Sequence, residues 1–358
     1  MGSRWTSVSG DDSVTIAAFS LNHIGDVLFT EPALYALKAG YPQGQLVVIT
    51  SAAGAEVLRC QPYVDQVLCR RRGFWGFLDL LVTVRRLKPD IAVAFSPSSL
   101  AIGAAVRLSG ARLTAGFNAR PIMSRLFTKS LPFHKDRHIV EDNLALVELV
   151  GGKRLRHLPQ LFSTQQEISW SDRWLSEQGL SQYNLIGCQP FASTQKRLWD
   201  MSQWARFLLK LSHLSNYRVI IFGGQEVRKE GERLSRETGA INAAGSLTVR
   251  QFIAVVRRCF AFVGLDSGPT HLAAAAGVPT LVLYGPATRG PVRAGPLGTV
   301  VAALSGEKNT WNGMTPEKVW SALTDLIEKH RIDSRLDTNR LTPSSRTVDG
   351  LSKVLRRR

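Results

Sequence analysis

The stretch FAFVGLDSGPTHLAAAAGVPTLVLYG, from Phe260 to Gly285, constrains the fold of this chain more than any other. An apolar run, Phe260 to Leu265, ends abruptly at Asp266. Ser267, Gly268 and Pro269 form a turn, and a small-residue helix follows from about Thr270 to Ala276. Gly277 stops that helix, and a second apolar run leads from Thr280 to Tyr284. Strand, tight turn, helix, strand is a βαβ unit, which makes the two strands parallel. Asp266 then stands at the carboxyl end of a strand, where open parallel sheets place their ligands. The N–H groups at the start of the Thr270 helix have no intrahelical partners and carry the positive end of its dipole, so they suit an anion such as a diphosphate.

Strands and helices alternate on both sides of a glycine- and proline-bearing linker at about residues 151–165. Before it, strands are expected at Val14–Ser20, Gln45–Thr50, Gln66–Cys69, Asp90–Phe95 and Leu113–Phe117, a basic irregular segment at Arg120–Arg137, and a helix at His138–Val150. After it come strands at Asn184–Cys188, Arg218–Phe222 and Ala240–Ala243, the Phe260–Gly285 unit, and a last helix at Pro316–His330. Such alternation predicts an α/β protein with parallel sheets, its two halves each Rossmann-like. The 358 residues are enough for two cores. The expected division is a polar tail at 1–13, domains at 14–160 and 161–332, and a poorly packed basic tail at 333–358.

The formal net charge of +17 implies an acidic partner: nucleic acid, an anionic membrane face or a phosphorylated substrate. Arginines concentrate at Arg70–Arg72 and Arg356–Arg358. No helix-turn-helix, zinc finger or aromatic-rich RNA-binding signature occurs, which makes nucleic acid the weaker candidate. Cys60, Cys69, Cys188 and Cys259 show no CxxC spacing and read as reduced thiols, mostly core fillers, of a cytosolic protein. No apolar run approaches the length of a membrane span, and the first residues lack the apolar segment of a secretory signal.

Three loops offer chemistry. In NHIGDVLFTEP, Gly25 is the only glycine, so a dinucleotide fingerprint is absent. Asp26 there is either the N-cap that opens the first helix or a general base facing a cleft, with Glu31 and His23 as neighbouring alternatives. In FASTQKRLWD, Ser193 and Thr194 offer hydroxyls and Lys196 a point charge to phosphate oxygens; alone, Lys196 is an ordinary surface lysine. In DSGPTH, Asp266 suits sugar or ribose hydroxyls, Ser267 to Thr270 present N–H groups, and His271 is either a phosphate donor or a packed core histidine. No CxxC or paired-carboxylate pattern suggests a catalytic metal.

Taken together, IGDVLFTEPAL, HIVEDNLALVELVG, ASTQKRLWDMSQWARFL, the FGG turn and VGLDSGPTHLAAAAGVPTLVLYGP resemble the lipopolysaccharide heptosyltransferase family, glycosyltransferase family 9, over about residues 14–330. The resemblance implies a GT-B architecture, two Rossmann-like domains with the active site in the cleft between them. It implies an inverting, metal-independent transferase with no cofactor, moving heptose from ADP-heptose to a lipopolysaccharide core or related glycan. By position it makes Asp26 the catalytic base, places Lys196, Ser193, Thr194, Ser267, Gly268, Thr270 and His271 at the donor phosphates, and Asp266 at the donor sugar or ribose. His23, Arg70, Arg120 and Arg137, with Arg125, Lys129 and Lys135, would suit a phosphorylated, membrane-borne acceptor. The protein is then expected in the cytoplasm, peripherally at an anionic membrane face, with nucleic acid no partner. A non-catalytic nucleotide-sugar-binding or scaffold protein of the same fold, and a basic nucleic-acid-binding protein, are the competing readings. The chain departs from the family pattern at Ala287-Thr288-Arg289-Gly290-Pro291, beside the donor sugar, and in the basic segment after 333.

Overall fold

The computed structural model describes residues 14–20, 23–71, 73–95, 99–134, 136–286, 288, 290–307 and 310–340, the side chains of 331–340 excepted. The expected tail at 1–13, Arg72, Lys135, Ala287, Arg289 and Arg356–Arg358 lie outside the described residues.

Apolar runs buried on both faces become parallel strands. The first sheet holds β1 (Thr15–Ser20), β2 (Gln45–Thr50), β3 (Gln66–Cys69), β4 (Ile91–Ala94), β5 (Leu113–Phe117) and β6 (Lys129–Leu131) in the order β3-β2-β1-β4-β5-β6. Its helices are α1 (Ile24–Gly40), α2 (Ala52–Leu58), α3 (Gly73–Leu87), α4 (Leu100–Leu108), α5 (Pro121–Ser124) and α6 (Ile139–Glu148). Ile16 and Ala18 of β1 pack towards α1 and α6, whereas Ala17 and Phe19 pack towards α3 and α4.

The pattern restarts with α7 (Gln165–Glu177), β7 (Asn184–Gln189), α8 (Met201–Ser212), β8 (Tyr217–Ile221), α9 (Arg228–Thr238) and β9 (Ile241–Asn242). It continues with α10 (Val249–Val256), β10 (Cys259–Leu265), α11 (Gly268–Ala275), β11 (Thr280–Tyr284), α12 (Gly290–Ala294), β12 (Val301–Ser305) and α13 (Pro316–Arg340). Its order, β12-β11-β10-β7-β8-β9, is the first sheet's order again, with the first strand of the half beside the fourth. Each half is therefore a doubly wound sheet with one switch point, β1/β4 and β7/β10, where a crevice opens at the carboxyl ends. These are the two Rossmann-like halves that the alternation predicted, in the GT-B architecture that the resemblance implied.

Several expectations are corrected. Residues 120–137 are not irregular throughout: they carry α5 and the edge strand β6. The last helix does not stop near residue 330; its backbone runs on to Arg340, into the expected tail. Of the cysteines only Cys188 and Cys259 are core residues, and burial pushes their thiols up, that of Cys259 to about 12. Cys60 is half-buried and Cys69 exposed.

The segment after α6 is pinned rather than loose. Arg156 donates to both carboxylate oxygens of Glu31 on α1, the Tyr63 hydroxyl donates to Oε1, and the Gln160 N–H donates to Oε2 at 3.0 Å. Glu31 is fully buried, so it is a structural anion and not an alternative base. Burial pushes its carboxyl above the usual value, opposed by the hydrogen bond and charge of Arg156. Arg156→Met strands that carboxyl, at about 3–5 kcal/mol near neutral pH. In the variant the native carboxyl holds its proton above the 4.5 of an ordinary glutamate, while the unfolded chain has lost it. The penalty therefore shrinks as pH falls towards that value. Urea unfolding at neutral and mildly acidic pH measures both; equal penalties would refute the account.

Candidate functional site

β1, β7 and β10 all deliver their following loops to the carboxyl edges of their sheets. β7 and β10 are hydrogen-bonded neighbours, with Gly264 opposite Gln189, so the FASTQK and DSGPTH loops flank one switch point. Gly264 permits this packing, since a Cβ there would stand 2.4 Å from the Thr270 hydroxyl.

The first loop meets them from the other half. α1 begins at Ile24 with His23 in the N-cap position, so Asp26 lies in the first turn and is not the N-cap that the sequence suggested. The first turns of α1 and α11 stand at van der Waals distance. A Cβ at Gly25 would lie 3.5 Å from the His271 ring, and one at Gly268 3.6 Å from Cβ of Ile24. Phe29, one turn further along α1, makes T-shaped contacts with both His271 and His138, at centroid distances of 5.2 and 5.1 Å.

The donor turn is narrower than its sequence implied. α11 starts at Gly268, two residues before the expected Thr270, with Ser267 as N-cap. Thr270 is fully buried and its hydroxyl donates to the Leu265 carbonyl at 2.6 Å, which ties the turn together and removes that side chain from any ligand. The N–H groups of Thr270 and His271 both reach the Ser267 carbonyl. Pro269 has none, which leaves Gly268 as the first-turn amide with no partner inside the helix. His271 Nε2 lies 3.3 Å from Asp266 Oδ1, and both side chains are nearly buried. His271 is thus packed core and Asp266 neighbour at once, and its buried Nδ1 has no hydrogen-bond partner among the described residues. Asp266 also lies beside Tyr284, whose phenol is pushed up by burial first and by that carboxylate second.

The FASTQK loop is anchored at both ends: Phe191 and Trp199 are buried, and the Trp199 indole donates to the Met314 carbonyl at 3.2 Å. Between them a 3-10 turn at Gln195–Arg197 leaves Ser193, Thr194 and Lys196 exposed. His23, Arg70 and Arg120 follow the carboxyl ends of β1, β3 and β5, on the same edge as Asp26; His23 and Arg120 are exposed, Arg70 half-buried. Arg137 has another task, since its guanidinium donates to Asp142 Oδ1 at 2.5 Å.

Asp142 leads to the residues that sequence reasoning missed. It is fully buried on α6 and gathers Arg137, His134 at 3.1 Å and Arg293 of α12 at 2.9 Å. Arg293 also donates to the Arg137 carbonyl and lies 4.1 Å above the Phe133 ring. His138 caps α6 by accepting from the Val140 N–H at Nδ1, so Nε2 carries the proton donated to the Gly295 carbonyl at 3.0 Å. Burial lowers its pKa, in keeping with that neutral tautomer. These bonds join the HIVEDN helix to the segment just after the atypical 287–291 loop. Asp142 stands beside Glu141 and Asn143 in the first turn of that helix, and nothing in the sequence told the buried carboxylate from its half-buried neighbour or named its partners.

The chain matches glycosyltransferase family 9 (heptosyltransferase) over residues 91–319. It is 25% identical over 281 residues to lipopolysaccharide heptosyltransferase 3 of Escherichia coli, covering 73% of this chain and 80% of that one. A glycosyltransferase family 9 structure from Veillonella parvula superposes with a TM-score of 0.80 at 21% identity, over 89% of this chain and 98% of that one. The E. coli structure described as ADP-heptose lps heptosyltransferase II gives 0.77 at 22% identity, over 89% and 100%. With its two doubly wound sheets and their facing helix starts, this chain belongs to glycosyltransferase family 9 and is a glycosyltransferase.

Proposed function

We propose that the protein transfers a heptose from ADP-heptose to the lipopolysaccharide core or a related glycan, by a single inverting displacement and without a metal. The observation that carries this reading is the juxtaposition of Asp26 and the Asp266–Gly268 turn on helix starts that touch. The names of the E. coli relatives support the donor and the acceptor class.

In this reading, Asp26 accepts the proton of an acceptor hydroxyl as its oxygen attacks the anomeric carbon. The bond from that carbon to the diphosphate oxygen breaks on the opposite face, and its electron pair leaves with the nucleotide. Lys196 and the Gly268 N–H, at the positive end of α11, stabilise the charge that develops on the diphosphate. Ser193 and Thr194 add hydroxyl donors. Asp266, held by His271, accepts from a ribose or sugar hydroxyl. The Gly290–Ala294 helix, fixed through Arg293, carries the loop that borders the donor sugar.

Asp26→Asn lowers kcat by about 10²–10⁴-fold while ADP affinity stays within about twofold, because a base acts on the proton in flight and not on the nucleotide. Steady-state kinetics with calorimetric ADP titration separate the two, and an unchanged kcat would remove Asp26 as the base. Lys196→Ala weakens ADP binding by about ten- to a hundredfold, the loss of a charged hydrogen bond of about 1.5–3 kcal/mol. Titration of the variant with ADP checks this. Dialysis against EDTA leaves the rate unchanged; a loss restored by a divalent cation would overturn the metal-free mechanism.

A further inference from the structure

We propose that the outer face of α3 docks on an anionic phospholipid bilayer, with Phe74 and Trp75 entering the interface. α3 covers the first sheet with Gly76, Leu80 and Val84, its buried side. A helix that only covered a sheet would turn polar residues to solvent on its other side. Here Phe74 is 69% exposed, Trp75 79% and Val82 48%, and Leu78 joins them. On a helical projection these four fall within a sector of about 100°, one continuous stripe.

Arginine brackets the stripe. Arg71 precedes it and is exposed, and Arg85 and Arg86 occupy the last turn. Just beyond, Arg85, Lys88, Arg107 and Arg112 surround a shallow cavity that Asp90 also lines. Asp90 already accepts from the Thr15 N–H at 3.0 Å. Asp79 is the one acid among the exposed positions of α3. Apolar and aromatic side chains flanked by cations are the composition of helices that lie in the headgroup region of a negatively charged membrane. A protein partner would have to be both apolar and acidic to match the same face; the bilayer supplies both properties by its own construction. The net charge of +17 acts in the same direction.

Position gives the surface a use. α3 starts four residues after Cys69, the last residue of β3, so Phe74 and Trp75 stand at the sheet edge that also carries Asp26. Docking there presents the cleft to a lipid-linked acceptor. That use rests on the transferase function proposed above; the binding itself does not.

The experiment is vesicle flotation of the full chain, with phosphatidylcholine alone or mixed with phosphatidylglycerol, at low and high salt. The protein floats with the anionic vesicles and salt weakens the association. The F74S/W75S double variant, altered only at exposed positions, lowers the partition coefficient by about tenfold or more. Leu155→Ser, at a side chain 65% exposed elsewhere, leaves it unchanged. A double variant that floats like the unaltered protein overturns the proposal, as does an unaltered protein that ignores anionic vesicles. So does a dimer that ignores vesicles and that F74S/W75S converts to monomer, since a second copy would then cover the stripe. Sugar transfer is read in parallel on a deacylated, water-soluble acceptor and on the same acceptor in vesicles. F74S/W75S keeps the first rate and loses the second by about tenfold. Stripe-dependent flotation without any transfer would sink the proposed function and leave the docking surface standing.

Discussion

Two positive helix ends meet between the halves of this molecule. The first turns of α1 and α11 stand at contact distance, and each helix brings the partial positive charge of its unpaired N–H groups. Left alone, they would repel. Asp26 lies in the first turn of α1 and Asp266 directly precedes the N-cap of α11, so each end carries its own carboxylate. The arrangement holds a pair of carboxylates beside the two helix starts. In the proposed function, acid–base chemistry and phosphate binding would both draw on these two helix starts.

The contact is held by side chains from both halves. Phe29 of α1 fills the space between His138 and His271, and the two histidines are committed by hydrogen bonds to Gly295 and by proximity to Asp266. Buried charge sets the remaining geometry. Asp142 draws Arg293 across from the second half, and Glu31 draws Arg156 down onto the first. Such pairs contribute little net stability, because each ion has lost its water. Their effect is selective: without Arg156, Glu31 is buried with no cation, and without Arg293, Asp142 keeps Arg137 but loses its bond at Oδ2. The Asp142–Arg293 pair, which crosses between the halves, is thereby suited to fixing where one stands on the other.

The repeated α/β order was legible because buried parallel strands read as apolar runs, as Leu46–Ile49 within β2 and Cys259–Leu265 do. The edge strands β6 and β12 were not, since Lys129–Leu131 is three residues long and Val301–Ser305 alternates exposed with half-buried positions. Asp26, Lys196 and Asp266 stood out because each follows an apolar run at a turn. Helix starts were read two residues late in both loops. Gly25 and Gly268 look like turn residues locally, and only packing against the opposite helix start makes them the first turns of helices.

By itself, the sequence determined the class of the fold, its division into two similar halves, and the three strand-end loops that the proposed function uses. These follow from local rules: periodicity, turn residues, and the exposure of loops at the carboxyl edge of a parallel sheet. Tertiary structure alone decided which groups are spent and which are available. It took Thr270, Arg137 and Glu31 out of the site by giving them partners inside the protein. It brought in Arg293 and His138, and it left one side of α3 uncovered. Partnership between residues up to 157 positions apart depends on how two sheets stand against each other, and no local pattern encodes that.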